Sequence, residues 1–224
     1  MVMKLNEADH AKVSAAIAAA EGSSDGEILA IATDRSDAYH DVGLHYAVLV
    51  LFMALGFFAA WPSWLAWYWT MLMGWTAEPT QRELLTLLLG ICLAKFLGTL
   101  FVMKWMPLRL ALTPGTTKTR RVRRRAVALF KASAERRTVG RTGVLIYLSM
   151  GEHRAEIVAD EAITAVTTPD TWGEAMAALI VEVKAGRPAD GIVAAIEKVG
   201  AVLAEHFPRS AGDTNESPDK LIEL

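Results

Sequence analysis

The chain has 224 residues, of which 53% are apolar and 21% charged, and its formal net charge is −2. The apolar share is high for a soluble domain of this size, whereas the charged share is too large for a protein made only of membrane spans. A single cysteine excludes an intramolecular disulfide. We therefore expect one modest soluble domain that carries a membrane insert.

Residues 1–41 predict the first part of that soluble domain. Asn6 stands where a helix N-cap is expected, apolar residues follow at helical spacing, and Gly22 ends the pattern. Residues 27–33 are then largely apolar on both faces, which is typical of an inner strand covered by helices on both sides. The segment does not begin with a basic stretch followed by an apolar core, so we predict no secretory signal peptide and a cytoplasmic soluble part.

Residues 42–106 predict a transmembrane helical hairpin. The spans run from about 44 to 61 and from about 84 to 106, and each has roughly the 17 to 25 residues that a helix needs to cross the hydrocarbon layer. Residues 61–75 hold five of the seven tryptophans. Because such rings settle at the headgroup level, we predict a short helix over 62–75 that lies in the membrane interface. An aromatic cage for a ligand is the alternative.

Lys95 is the sharpest anomaly of the second span, because it lies near the middle of an apolar helix. A charge at that depth costs several kcal/mol and is a functional candidate by default. Beside it, Gly90, Ala94 and Gly98 form a face of small residues that lets another helix approach closely. We favour a contact with a membrane-protein partner or a second copy at this face. A lysine that snorkels outward and a proton-relay or transport role are the alternatives.

A basic block follows the second span. Residues 104–141 hold twelve of the 23 lysines and arginines but one acid. The positive-inside rule places this block in the cytoplasm, and two crossings return the chain to the same side, so both termini are expected there. A long basic helix is predicted over 119–137, with five arginines placed to contact anionic lipid headgroups. They are Arg120, Arg121, Arg123, Arg124 and Arg125. Nucleic-acid binding is the alternative, which we do not favour directly after a membrane span.

Residues 107–208 predict the second part of the soluble domain. After the basic helix, strands at 143–149 and 154–159 form a β-hairpin, and helices follow at 170–185 and 189–207. We interpret His153, in the hairpin turn, as a surface residue rather than a catalytic base. Residues 209–224 are predicted to be a polar tail, with docking of the last four residues left open, and the strand order is left open as well.

Several of these stretches resemble the TPM domain. They are Ala16 to Glu21 with Gly26-Glu27-Ile28, then Thr142 to Ser149 with the charged turn and third strand, and Asp190-Gly191 at the start of the last helix. That family includes plant thylakoid proteins linked to photosystem II repair and many bacterial membrane-associated proteins. The resemblance implies an α/β fold, a three-layer α/β/α sandwich of few strands, into which the hairpin is inserted. It also implies acid phosphatase activity and calcium binding in some members. We expect the chain to lie in the bacterial plasma (inner) membrane.

Asp160 and Glu161 are the candidate metal ligands, because they follow a strand end where a hard cation collects oxygen ligands. Glu27, Asp34 and Asp190 are further candidates, and the cation would be Ca²⁺ or another divalent ion. Helix caps and solvated charges are the alternative interpretation. The sequence contains no glycine-rich phosphate loop and no HExxH or GxSxG motif.

Two functions follow as hypotheses. The first is a membrane-anchored binding module for the assembly or quality control of a membrane protein complex, with the lipid bilayer and a membrane protein or second copy as partners. The second is a divalent-metal-dependent acid phosphatase. Nucleic acid is not expected as a partner.

Overall fold

A computed structural model describes residues 5–74, 78–133, 142–210 and 220–224. Two compact units are present, one formed by residues 1–37 and 115–224 and the other by residues 38–114. The elements are, in chain order, α1 (Glu7–Glu21), β1 (Glu27–Thr33), α2 (His40–Ala60), α3 (Pro62–Met73), α4 (Gln81–Val102), α5 (Met106–Leu112), α6 (Gly115–Ser133), β2 (Gly143–Ser149), β3 (Arg154–Ala159), α7 (Glu161–Val166), a 3-10 helix (Pro169–Trp172), α8 (Gly173–Lys184), α9 (Pro188–His206) and β4 (Ile222–Glu223).

Parts of four predictions lie outside the described residues. They are the first four residues of the soluble domain, Trp75 at the end of the interfacial helix, residues 134–137 at the end of the basic helix, and most of the polar tail.

The first unit is built on a four-stranded mixed sheet with the strand order β3-β2-β1-β4. β1 and β2 are parallel, in a register that pairs Glu27 with Gly143 and Thr33 with Ser149. β3 returns antiparallel to β2, as the predicted hairpin requires. β4 lies parallel to β1 on its other side. The predicted α/β class is therefore confirmed.

Both faces of this sheet are covered by helices. Ile28, Ala30 and Ala32 of β1 belong to one apolar cluster with residues of α1, α8 and α9. Leu29 and Ile31, which point the other way, belong to a second cluster with residues of α6. All seven residues of β1 and all seven of β2 are buried. This confirms the prediction of an inner strand with apolar side chains on both faces.

Two glycines let α9 lie close to its neighbours. A Cβ atom at Gly191 would come 2.7 Å from the carbonyl oxygen of Leu179 in α8. A Cβ atom at Gly200 would come 2.7 Å from the Cβ of Ala20 in α1. Any side chain at these positions would force the helices apart, so the close packing of α1, α8 and α9 depends on both glycines.

Some boundaries in this unit differ from the predictions. α6 begins at Gly115 rather than at Thr119, because the chain enters the helix directly after Pro114. The helix predicted over 170–185 is a 3-10 helix, capped by Thr168, followed by α8. Glu161, predicted to follow the end of β3, begins the short helix α7, which the sequence did not predict.

The end of the chain also differs from the predicted polar tail. Ile222 and Glu223 form β4, and Leu224 donates its N–H to the carbonyl of Ala32 over 3.1 Å. Leu221 is buried in the first apolar cluster. The last four residues, whose docking the sequence left open, therefore complete the sheet.

The second unit contains two helices that are long and apolar enough to span a membrane. α2 and α4 have a mean hydropathy of 2.1 and 2.2 over their best windows, of which only 22% and 6% of the residues are buried. They pack on each other. α3 follows α2 after one residue, and its aromatic rings form a chain of edge contacts that includes Trp64–Trp67 and Trp67–Tyr68. The helices begin and end a few residues before the predicted spans.

The two ends of this unit are tied by a buried arginine. Arg109 donates from Nε to the carbonyl of Met103 over 2.7 Å and from Nη1 to the carbonyl of Ala38 over 2.6 Å. Next to Ala38, Tyr39 adopts a left-handed backbone conformation with φ 52°, and its side chain is buried beside Val42 and Met103. The segment before α2 and the segment after α4 are therefore held together by one side chain.

Candidate functional sites

The carboxyl ends of β1 and β2 lie at the same edge of the sheet, which is where open α/β sheets place their ligand sites. The two loops that leave these strands are joined by main-chain bonds. Met150 donates its N–H to the carbonyl of Thr33 over 2.9 Å, and Gly151 to that of Asp34 over 2.8 Å. This edge is therefore fixed by backbone contacts before any side chain is considered.

Glu152 is the central side chain of this edge and is 4% exposed. One carboxylate oxygen accepts the N–H of Ser36 over 2.8 Å, and the other accepts the hydroxyl of Ser149. Hydrogen bonds to a charged group contribute about 1.5–3 kcal/mol each. Sequence analysis treated Glu152 only as part of a turn and missed this role, which joins two loops 116 residues apart.

Tyr147 extends this network. Its hydroxyl lies 3.0 Å from the hydroxyl of Ser36. Burial raises the pKa of Tyr147 above its usual 10, and the hydrogen bond with Ser36 acts in the opposite direction. The phenol therefore stays neutral at physiological pH and serves as a hydrogen-bonding group. The network as a whole orders the edge of the sheet.

The five arginines predicted to contact lipid do not share one environment. Arg121 is 10% exposed at its side chain, and its Nη1 lies 3.0 Å from a carboxylate oxygen of Asp37. Arg124 lies 3.9 Å from the same oxygen and is 74% exposed. Arg120, Arg123 and Arg125 are exposed. One of the five arginine side chains therefore points inward, and the other four are accessible to solvent.

The candidate metal ligands are distributed over both ends of the sheet. Glu27 and Asp160 lie at the end where β1 and β2 begin, next to Gly143, whose N–H donates to Asp160 over 3.0 Å. Glu161 follows Asp160 and is exposed. Asp34 follows the other end of β1, about 23 Å away for a strand of this length. Asp34 is therefore not brought together with the other three.

Asp190 is held elsewhere, in the first turn of α9. It accepts a hydrogen bond from Lys12 and lies 3.6 Å from Nε of Arg187. The hydrogen bond and the charge of Asp190 raise the pKa of Lys12. Among the residues that the structure describes, no group of three or more His, Cys, Asp or Glu side chains is placed to hold a metal ion.

The small-residue face of α4 is uncovered. Gly90, Ala94, Lys95 and Gly98 are all exposed. A Cβ atom at Gly90 or Gly98 would meet nothing within 4 Å. Cys92 of the same helix is buried. Lys95 forms no ion pair with any part of the chain that the structure describes.

The fold and these sites define a mixed α/β domain whose sequence is interrupted by two long apolar helices. Residues 107–202 match the family model of the TPM domain. The match starts in α5, ends within α9 and leaves out α1 and β1.

A solved structure has the same fold over almost the whole chain. The NMR structure of BA42 protein from the psychrophilic bacterium Bizionia argentinensis aligns with a TM-score of 0.56 and 19% sequence identity. The alignment covers 98% of this chain and 95% of that one. No curated protein matches the sequence.

Proposed function

We propose that this protein is a membrane-anchored TPM-domain protein that serves the assembly or quality control of a membrane protein complex. The observation that carries the proposal is the exposure of α2 and α4. Apolar side chains such as Phe52, Leu89 and Phe101 are 65%, 68% and 72% exposed. An exposed apolar surface of this extent is unfavourable in water and indicates contact with lipid or with another protein. Two helices of about 30 Å length match the thickness of the hydrocarbon layer of a bilayer.

The proposed orientation places both termini and the sheet-containing unit in the cytoplasm, with α3 at the outer interface of a bacterial inner membrane. It is supported by the charge pattern, because α6 and its arginines follow the hairpin directly in sequence while the segment between α3 and α4 carries little positive charge. The four accessible arginines of α6 would then contact anionic headgroups.

The partner proposed for this module is another membrane helix that packs on the small-residue face of α4. Small residues allow close approach, and Lys95 in hydrocarbon needs a polar partner or a hydrated seam. The second hypothesis, a divalent-metal-dependent phosphatase, would need a cluster of metal ligands, and the described residues contain no group of three or more His, Cys, Asp or Glu side chains placed to hold a metal ion.

Membrane topology is the first test. In a Cys92→Ser background, single cysteines are introduced as Ser63→Cys in α3 and Lys131→Cys in α6, both at exposed positions. We expect a membrane-impermeant maleimide to label the first variant in intact spheroplasts and the second only after permeabilisation. Labelling of Lys131→Cys in intact spheroplasts, or recovery of the protein without detergent, would overturn the proposal.

The partner contact is tested by native mass after extraction in mild detergent. We expect Lys95→Leu to insert normally but to lose part of a stoichiometric complex, whereas Leu89→Ala, on the same helix, leaves the complex intact. An identical mass and composition for wild type and Lys95→Leu would contradict the assignment of this face.

A further inference from the structure

A cavity of about 330 Å³ lies beside the edge of the sheet, entirely within the first unit. Its walls are mostly apolar, and its size is at the lower end of the about 300–1,000 Å³ that is typical of ligand pockets. The lining comprises Leu148 of β2, His153, Arg154 and Ala155 at the start of β3, and Leu179, Ile180, Val183 and Lys184 of α8. Of this lining, His153 alone was considered in the sequence analysis, where it was interpreted as a surface residue.

The strand next to this cavity is an edge strand. β3 pairs with β2 on one side and has no strand on its other side among the described residues. Asp160 donates its N–H to Gly143, so in an antiparallel pair the N–H groups of Ala155, Ile157 and Ala159 point away from β2. An unpaired row of this kind is a template for another strand.

The charge at the mouth of the cavity is positive. Lys184 is exposed and forms no ion pair with any residue that the structure describes. The two acids of α8 are engaged by other partners, since Glu174 lies 3.2 Å from Lys198 and Glu182 lies 2.6 Å from Arg187. The guanidinium of Arg154 is directed toward Gly115, on the other face of the sheet. Lys184 is therefore the cation that a ligand in the cavity would meet.

We propose that β3 and α8 form a docking site for an extended peptide that adds to the sheet as a fifth strand. The peptide places one aliphatic side chain in the cavity and a carboxylate next to Lys184. Main-chain bonds to β3 supply affinity and the pocket supplies specificity, as in other cases of strand addition. An acyl chain would fill the cavity but leave the donors of β3 unused, which is why we choose a peptide. This site is independent of the proposed membrane anchoring.

The experiment uses the full chain in detergent and fluorescent seven-residue peptides with alternating threonine and aliphatic residues. The central residue is leucine, isoleucine, valine or phenylalanine, and a glutamate follows it. We expect a rise in anisotropy for at least one peptide, and a loss of binding when alternate peptide amides are N-methylated. Lys184→Glu should weaken binding about fivefold, the upper range for an exposed ion pair, and Lys131→Glu on α6 should leave it unchanged.

A second variant tests the strand edge itself. Ala155→Pro removes an outward N–H but no bond of the β2–β3 ladder, and proline is tolerated on edge strands. We expect this variant to keep its circular dichroism spectrum and to lose peptide binding. The proposal is overturned if no peptide in the set binds, if N-methylated peptides bind equally well, as an apolar ligand site would allow, or if β3 instead pairs two copies of the chain, so that Ala155→Pro dissociates a dimer.

Discussion

The two units of this chain place their apolar side chains in opposite ways. In the first unit, every residue of β1 and β2 is buried between helices. In the second, α2 and α4 expose most of their apolar side chains. If the second unit lies in a bilayer, as proposed, both patterns follow from one rule. Apolar surface is removed from water, in the first unit by other parts of the chain and in the second by lipid. The comparison teaches that burial within the chain is informative only when the solvent of each unit is considered.

The difference between the two units is tested most directly by removing the same number of side-chain carbon atoms from each. Ile146 of β2 is 1% exposed, and Leu89 of α4 is 68% exposed. We expect Ile146→Ala to lower the free energy of unfolding by about 2–5 kcal/mol, because it leaves a cavity in the core. Leu89→Ala should cost less than about 1 kcal/mol. Denaturation of the full chain in detergent, followed by circular dichroism, measures both, and equal losses would contradict the distinction.

The next prediction concerns the polar tie inside the apolar unit. Arg109→Met removes both hydrogen bonds to the carbonyls of Met103 and Ala38 and leaves those oxygens without that donor. We expect a loss of at least about 2 kcal/mol, seen as faster limited proteolysis between residues 103 and 114. Arg109→Lys is the control, because it keeps the charge but not the planar fork, and it should restore only part of the protection. Equal proteolysis of Arg109→Met and wild type would show that the tie is dispensable.

A third prediction distinguishes a structural role of the candidate metal ligand Asp160 from a catalytic one. Its carboxylate accepts the N–H of Gly143, so Asp160→Ala should destabilise the first unit by about 1 kcal/mol. Asp160→Asn should cost less, because the amide oxygen can still accept. We expect phosphate release from an aryl phosphate in the presence of Ca²⁺ or Mg²⁺ to be the same for wild type and Asp160→Asn. Metal-dependent hydrolysis that disappears in Asp160→Asn would instead favour the phosphatase hypothesis.

The elements that sequence analysis predicted well carry their signals locally. Asn6 and Asp9 form a capping box within four residues, and α1 begins at Glu7. β1 is a short apolar run, and β2 and β3 flank a tight turn, so their bounds agree with the predicted ones. In each case the pattern that stabilises the element is contained in the element itself.

The features that it missed depend on partners far away in sequence. β4 has only two residues, and nothing but pairing with β1 makes them a strand. Glu152 is recognisable as more than a turn residue only when Ser36 is brought beside it. Arg109 was assigned to a basic block, whereas it bonds to carbonyls on both sides of the hairpin. The candidate metal ligands were grouped by type, but the length of β1 separates Asp34 from Glu27.

The smallest change in stability is expected at a carboxylate that is half-buried in the first unit. Glu156 lies on β3, and burial raises its pKa above the usual 4.5, while the charge of Arg123 on α6 acts in the opposite direction. The folded state therefore holds this proton longer than the unfolded state. Its contribution to stability is present below pH 4.5 and is lost as the pH rises through the folded pKa.

Glu156→Gln should remove this loss. We expect the variant to be more stable than wild type at neutral pH by less than about 1 kcal/mol, since solvent screens a half-exposed group, and its stability to depend less on pH just above 4.5. Glu161→Gln, at an exposed position, is the matched control and should follow the wild-type profile. Urea titrations of the three proteins across this pH range measure the difference. If Glu156→Gln is less stable than wild type at neutral pH, the attraction of Arg123 exceeds the cost of burial, and the carboxylate stabilises the packing of α6 on the sheet.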